Sequence, residues 1–176
     1  QGIIDATDKG ARIISMSLGG PEAQVVHDAV KYAYDHGVLL VAAAGNAGND
    51  VKHYPAAYDE VIAVTATDSS DSLASFSSFG DWVELAAPGV GIYSTVPINS
   101  YRTMSGTSMA CPHVSGVAAL AWSVFANYTN EQIRQLLRYS ADDLGDWGFD
   151  IYYGFGRVNA KKAVEQAPSD HDLLVW

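Results

Sequence analysis

The chain has 176 residues, 48% of them hydrophobic, with 20 acidic against 10 basic residues and a formal charge of -10. That length makes one ordinary domain with a real core, and the lack of a Lys/Arg cluster argues against binding nucleic acid through a basic footprint. The single cysteine, Cys111, excludes an intrachain disulfide framework and a multi-cysteine zinc site, and the longest apolar tract, Val114 to Ala126, is too short to cross a bilayer, so no membrane partner is expected.

Arg12 to Ser17 (RIISMS) is a β-branched run stopped by Gly19-Gly20-Pro21, which predicts a strand and a turn. From Glu22 to His36, Val26, Ala29, Val30 and Ala33 recur at helical spacing, with Gly37 placed as a C-terminal cap. Val38 to Ala44 (VLLVAAA) has no polar alternation, the pattern of a strand buried on both faces of a parallel sheet. Further strands are predicted at Val61–Ala66 and Val83–Ala86, and a buried helix from near Ser108 to Phe125. Thr129 and Gln132 form a capping-box pattern ahead of Ile133, Leu136 and Leu137. A last helix is expected around Asn159–Gln166. The domain is taken as residues 1–167, followed by an acidic tail at 168–176.

This alternation predicts an α/β layered domain with a mostly parallel sheet. The Arg12–Ser17 strand is expected to lack a neighbour on one side, an open edge that invites dimerisation by strand exchange.

Three stretches carry chemistry. In SGTSMACPHVSG (residues 105–116), Ser108 stands at a helix start, in the positive field of unpaired backbone N–H groups. Pro112 is read as lying in the first turn, where a missing N–H is tolerated. Taken alone, Ser108 reads first as a helix cap. In AAAGNAG (residues 42–48), a buried strand empties into Asn46, either a turn residue or a neutral donor at the end of a strand where open sheets hold their sites. Ser17-Leu18-Gly19-Gly20 is either a plain turn or exposed backbone onto which an extended peptide adds as a strand.

Together MSLGG, VAAAGN, APG at Ala87–Gly89 and GTSMA with PHV behind it, in this order, resemble the subtilisin-like serine proteases over nearly the whole chain. FSSFG at 76–80, the Tyr54-Pro55 pair and GFGRVNAKKAV at 154–164 fit the same pattern. The resemblance implies a three-layer subtilisin-like fold and peptide-bond hydrolysis. Ser108 would be the nucleophile, and Asn46 with the Ser108 backbone N–H the oxyanion hole, supported by Thr107. Ser17, Leu18 and Gly19 would pair with the polypeptide substrate. Ala43, Ala44 and Gly45 would wall the pocket for the side chain before the scissile bond. Ala47 and His53 would lie near its base, where no acid aligns, so an apolar or aromatic preference is expected. Met109 would lie on the leaving-group side, its sulfur open to oxidants. The resemblance also implies an extracellular location, and no cofactor for the chemistry. A structural calcium site is implied at the carbonyls of Ala56, Tyr58 and Val61 with the Glu84 carboxylate. Glu84 read alone is equally an ordinary exposed acid.

A serine needs a base to take its proton, and the base needs an orienting group. In the family these stand in D-[ST]-G and H-G-T-H segments ahead of the serine, and neither motif occurs here. His113 falls about 140° around its helix from Ser108. His27 and His36 belong to the helix after the first strand, His53 has no orienting carboxylate in its setting, and His171 is in the tail. The chain alone is therefore expected to be almost inert. The base is expected from an N-terminal part of the domain upstream of Gln1 or from a second chain. The alternative is a non-catalytic peptide-binding or scaffold protein that keeps the cleft without the chemistry.

Overall fold

In the computed structural model, which describes residues 1–165, the apolar run after Gly37 becomes an inner strand of a four-stranded parallel sheet. The elements are α1 (Gly2–Asp8), β1 (Ile13–Met16), α2 (Gln24–Asp35), β2 (Leu39–Ala43), β3 (Val61–Thr67) and β4 (Leu85–Pro88), then β5 (Ile92–Val96), β6 (Ser100–Met104), α3 (Thr107–Val124), α4 (Asn130–Tyr139) and α5 (Ala160–Glu165). The sheet order is β1-β2-β3-β4, while β5 and β6 form a separate antiparallel hairpin. The tail at 168–176, with His171, lies outside the described residues.

Every residue of β2 and β3 is buried. Because successive strand side chains point to opposite faces, the two strands feed two cores. Leu39, Val41, Ile62 and Val64 pack with Ala110, Val114 and Leu136 from α3 and α4. Leu40, Ala42, Val61 and Ala63 pack on the other face with Val30 and Ala33 of α2. The result is three layers: helix, sheet, helix.

Local signals explain the ends of the elements. Gly37 adopts φ +79°, the left-handed residue that closes α2. At α4 the Gln132 N–H donates to Thr129 Oγ1 (3.2 Å) and the Thr129 N–H donates to Gln132 Oε1 (2.9 Å), the reciprocal cap that the sequence predicts.

Several expectations shift. β4 starts at Leu85 rather than Val83, because the Val83 N–H donates to the Gly80 carbonyl and prolongs a turn. Helix α3 is buried only on its sheet side: Leu120 and Val124 are 53% and 55% exposed. Strand β1 is an edge strand, with β2 on one side and no strand on the other among the described residues.

Candidate active site

Strands β1 and β2 are parallel, so their C-terminal ends open at the same edge of the sheet, where ligands bind in open α/β folds. Ser17 follows β1, Asn46 follows β2, and α3 starts beside them. Gly106 caps α3 with φ +156° and ψ 160°, a conformation that other residues hold only under strain. It turns the chain directly into the helix, with Ser108 as the second residue.

Pro112 is the sixth residue of α3, past the first turn where the sequence places it. A residue there would normally donate its N–H to the Ser108 carbonyl, which proline cannot do. The Ser17 hydroxyl donates to that carbonyl instead, at 2.8 Å. The first strand is thus tied to the backbone of the candidate nucleophile.

Asn46 is held by the oxygen of its amide, which accepts from the Thr107 N–H (2.9 Å) and from the Thr107 hydroxyl (3.1 Å). Thr107 Oγ1 in turn accepts from the Gly45 N–H at 3.1 Å. With Oδ1 fixed inward, the Asn46 NH₂ is left as a donor on the open side. In the first turn of α3, the Thr107 N–H is spent on Asn46, and the Met109 and Ala110 N–H groups donate to the Gly106 carbonyl. The Ser108 N–H has no acceptor among the described residues. Two donors, one side-chain amide and one backbone N–H, are therefore left without an acceptor among the described residues, on residues that line the same cleft. That is the arrangement that stabilises a developing oxyanion.

The cleft in front of them has a volume of about 160 Å³. Ser17, Leu18 and Gly19 line one side, Ala43 and Gly45 the other, and Asn46, Thr107 and Ser108 one end, with His53 also in the lining. No carboxylate lines it. Ala44 is fully buried and does not reach the cleft, and Ala47 is occupied by donating its N–H to Ser78 Oγ at 3.3 Å. Met109 faces a second cavity, of about 350 Å³, together with Met104, Pro112, His113 and the hairpin.

The described histidines other than His53 are engaged elsewhere. His27 stacks on Tyr58 and lies 3.2 Å from Glu60, His36 contacts the Tyr32 carbonyl, and exposed His113 contacts the Met109 carbonyl one turn back on α3. Buried Cys111 sits beneath Ser15 with its thiol 3.5 Å from the Val41 carbonyl, and burial pushes its pKa up, so it is inert.

Glu84 is neither an exposed acid nor a cation ligand. It is 5% exposed, and its carboxylate accepts from Arg134 Nε and Nη2 and from Arg138 Nε (2.8 Å). Arg134 also donates to the carbonyls of Asp59 (2.7 Å) and Val61 (3.5 Å), and the Tyr58 carbonyl accepts from the Val61 N–H. A guanidinium already supplies the positive charge that calcium would bring to the Glu84 carboxylate, so this side chain is taken as an ion-pair partner. Among the described residues no three His, Cys, Asp or Glu side chains converge.

Two features of the site were not read from the sequence: the Ser17 hydroxyl as a substitute helix donor, and the orientation of the His53 ring between Gly19 and Gly45, although His53 itself is expected near the base of the pocket. The first had a signal, since a proline four residues after Ser108 orphans its carbonyl. The second had none, because it depends on how Tyr54 pairs with Gly20 across the chain.

Comparison with known proteins shows the family and the fold. The chain is 48% identical over 165 residues to Thermitase of Thermoactinomyces vulgaris, a match spanning 93% of this chain and 58% of the relative. It is 47% identical over 169 residues to Subtilisin DY of Bacillus licheniformis, spanning 93% of this chain and 61% of the relative. It thus spans about three fifths of these relatives' length, matching their C-terminal portions. The crystal structure of the psychrophilic subtilisin-like protease Apa1 from the Antarctic psychrotroph Pseudoalteromonas sp. AS-11 superposes with a TM-score of 0.84 over 90% of this chain and 71% of that one. At 24% identity it shows the shared subtilisin-like fold. The sequence pattern of the Subtilase family runs through residues 1–156, across Ser17, Asn46 and Ser108 alike, and the chain belongs to that family.

Proposed function

We propose that this chain forms the electrophile-stabilising half of a serine endopeptidase active site. The observation that carries the reading is the pair of unspent donors, Asn46 Nδ2 and Ser108 N, on residues that line the same cleft. In this reading Ser108 Oγ attacks the scissile carbonyl, whose oxygen takes up negative charge between those donors. A tetrahedral intermediate collapses to an acyl-enzyme and releases the amine, and water then frees the acid. The Ser17–Gly19 backbone holds the polypeptide substrate as an added strand.

The proton of Ser108 goes to a histidine, oriented by an aspartate, from an N-terminal portion of the same domain or from a second chain. Two features support a covering segment: the unpaired edge of β1, and the apolar outer face of α3 with Leu120 and Val124 exposed. Large apolar side chains such as Leu120 and Val124 on the outer face of a helix fit a surface that another segment covers. The complete enzyme acts outside the cell in this reading, in keeping with the family resemblance.

The test is labelling with a fluorophosphonate serine reagent, read by intact mass after denaturation. The 176-residue chain is expected to stay unmodified. The same chain joined to its N-terminal portion is expected to gain one adduct, lost in Ser108→Ala. Failure of the joined protein to label would overturn the reading and favour a peptide-binding relic.

A further inference from the structure

The cleft contains one titratable side chain, that of His53, and its position is built rather than incidental. The residue after it, Tyr54, forms an antiparallel bridge with Gly20, the Gly20 N–H donating to the Tyr54 carbonyl (2.8 Å) and the Tyr54 N–H to the Gly20 carbonyl (3.0 Å). The His53 carbonyl accepts from the Ala57 N–H at 2.9 Å. The backbone is thus pinned on both sides of the ring.

The ring itself lies between the two walls. A methyl group on Gly19 would run into Nε2 and Cδ2 of the imidazole, and one on Gly45 would come within 3.4 Å of Cδ2 and Cγ. Both walls are glycine where the ring passes. The imidazole therefore occupies room that a large substrate side chain would otherwise use, and the remaining 160 Å³ is small for a binding pocket. It also adds a nitrogen donor to a cleft otherwise lined by small, apolar and neutral groups. The wall segments Ser17–Gly20 and Gly45–Gly48 carry no charged residue. The charged neighbours on its own loop, Asp50 and Lys52, are solvent-exposed.

We propose that His53 is a specificity-determining residue and that the cleft selects polypeptides with an acidic side chain, Glu or Asp, immediately before the scissile bond. This revises the apolar or aromatic preference expected from the absence of an acid alone. It rests on the reading of Ser108 as nucleophile. A carboxylate accepts the imidazole N–H as a charge-assisted hydrogen bond. A phenyl ring offers only its π face, a weaker acceptor than a carboxylate.

The experiment uses the complete protein with its N-terminal portion and peptide anilides that differ only in the residue before the anilide: Glu, Gln, Phe and Leu. kcat/KM for Glu is expected to exceed that for Phe by about tenfold, the worth of one hydrogen bond to a charged group. His53→Leu is expected to reverse the ratio, and His53→Gln to keep Gln as a good substrate while losing the advantage of Glu. A wild-type preference for Phe or Leu, or a Glu/Phe ratio unmoved by both variants, overturns the proposal. A Ser108→Ala control separates the two ideas. If hydrolysis does not depend on Ser108, the endopeptidase reading falls, and the pocket is judged by fluorescence anisotropy with labelled product-type peptides ending in Glu or Phe. Tighter binding of the Glu peptide, abolished by His53→Leu, supports the pocket claim, and equal binding overturns it.

Discussion

The Ser17 hydroxyl donates to the Ser108 carbonyl in place of the backbone N–H that Pro112 lacks. Two anomalies, a proline inside a helix and a serine at the end of a strand, thus resolve each other. Ser17→Ala is predicted to lower stability by about 1 kcal/mol, the usual worth of one such bond. Adding Pro112→Ala should recover part of the loss, because residue 112 then carries an N–H of its own. Urea denaturation of the single and double variants checks this, and strictly additive losses would count against the substitution of one donor for the other.

Asn46 gives its amide oxygen to Thr107 and keeps its NH₂ for the substrate. In the complete enzyme Asn46→Ala is predicted to lower kcat by about 10²–10³ with KM little changed, a magnitude established on subtilisin itself. Thr107→Val removes the hydroxyl that orients the amide, and should lower kcat in the same sense but less. Steady-state kinetics decide, and a mainly KM effect would remove Asn46 from the oxyanion role.

Glu84 and its two arginines form a buried ion pair between β4 and α4. Burial alone would raise the Glu84 pKa, but Arg134 and then Arg138 outweigh it and hold the carboxyl below the usual range. Glu84→Gln leaves Arg134 buried without its counter-charge, which is predicted to cost about 3–5 kcal/mol. Adding or chelating calcium should leave this pair unaffected. The check is chemical denaturation of both proteins with calcium and with chelator, where a calcium-dependent difference between them would restore a metal-ligand role to Glu84.

Asp142 gathers Lys162, Arg157 and Asn159 at the base of α5. Burial works against its charge, yet the hydrogen bonds from Lys162, Arg157 and Asn159 draw its pKa from the ordinary 3.8 down to about 2. Because the folded value is the lower one, the stabilisation is full above about pH 4 and is lost as the pH falls towards 2. The stability gap between the wild type and Asp142→Asn should therefore shrink over that window, and a gap independent of pH would show that the charge is not what matters.

The chain, whose β1 has no strand on its outer side among the described residues, is predicted to self-associate through that edge. Light scattering at rising concentration is expected to show dimers, and a stable monomer would mean that the edge is protected locally. Joining the N-terminal portion should abolish the association.

What the sequence made legible follows a physical divide. β2 could be read because a parallel inner strand must be apolar on both faces, and α4 because its cap is a contact between residues three apart. The donors at Ser108 could be read because helix starts always leave N–H groups over. The hairpin was missed: β6 is exposed throughout, and its turn at Ile98 and Asn99 takes positive φ at a β-branched residue, which no turn pattern anticipates. The short α1, opening on Gly2, was missed as well. The fate of Glu84 lay 50 positions away in Arg134, and a pairing at that range leaves no local trace. His53 was placed near the cleft, but its orientation between two glycines is a property of the fold alone.

The loop after β2 and the first turn of α3 are tied by the hydrogen bonds of Thr107 to Gly45 and Asn46, and each contributes one donor. In the proposed reaction the nucleophile and the donors that face the developing negative charge thus sit on one segment of the fold, and the group that takes the proton is supplied by another. In that reading, turnover measures how well the two segments are joined.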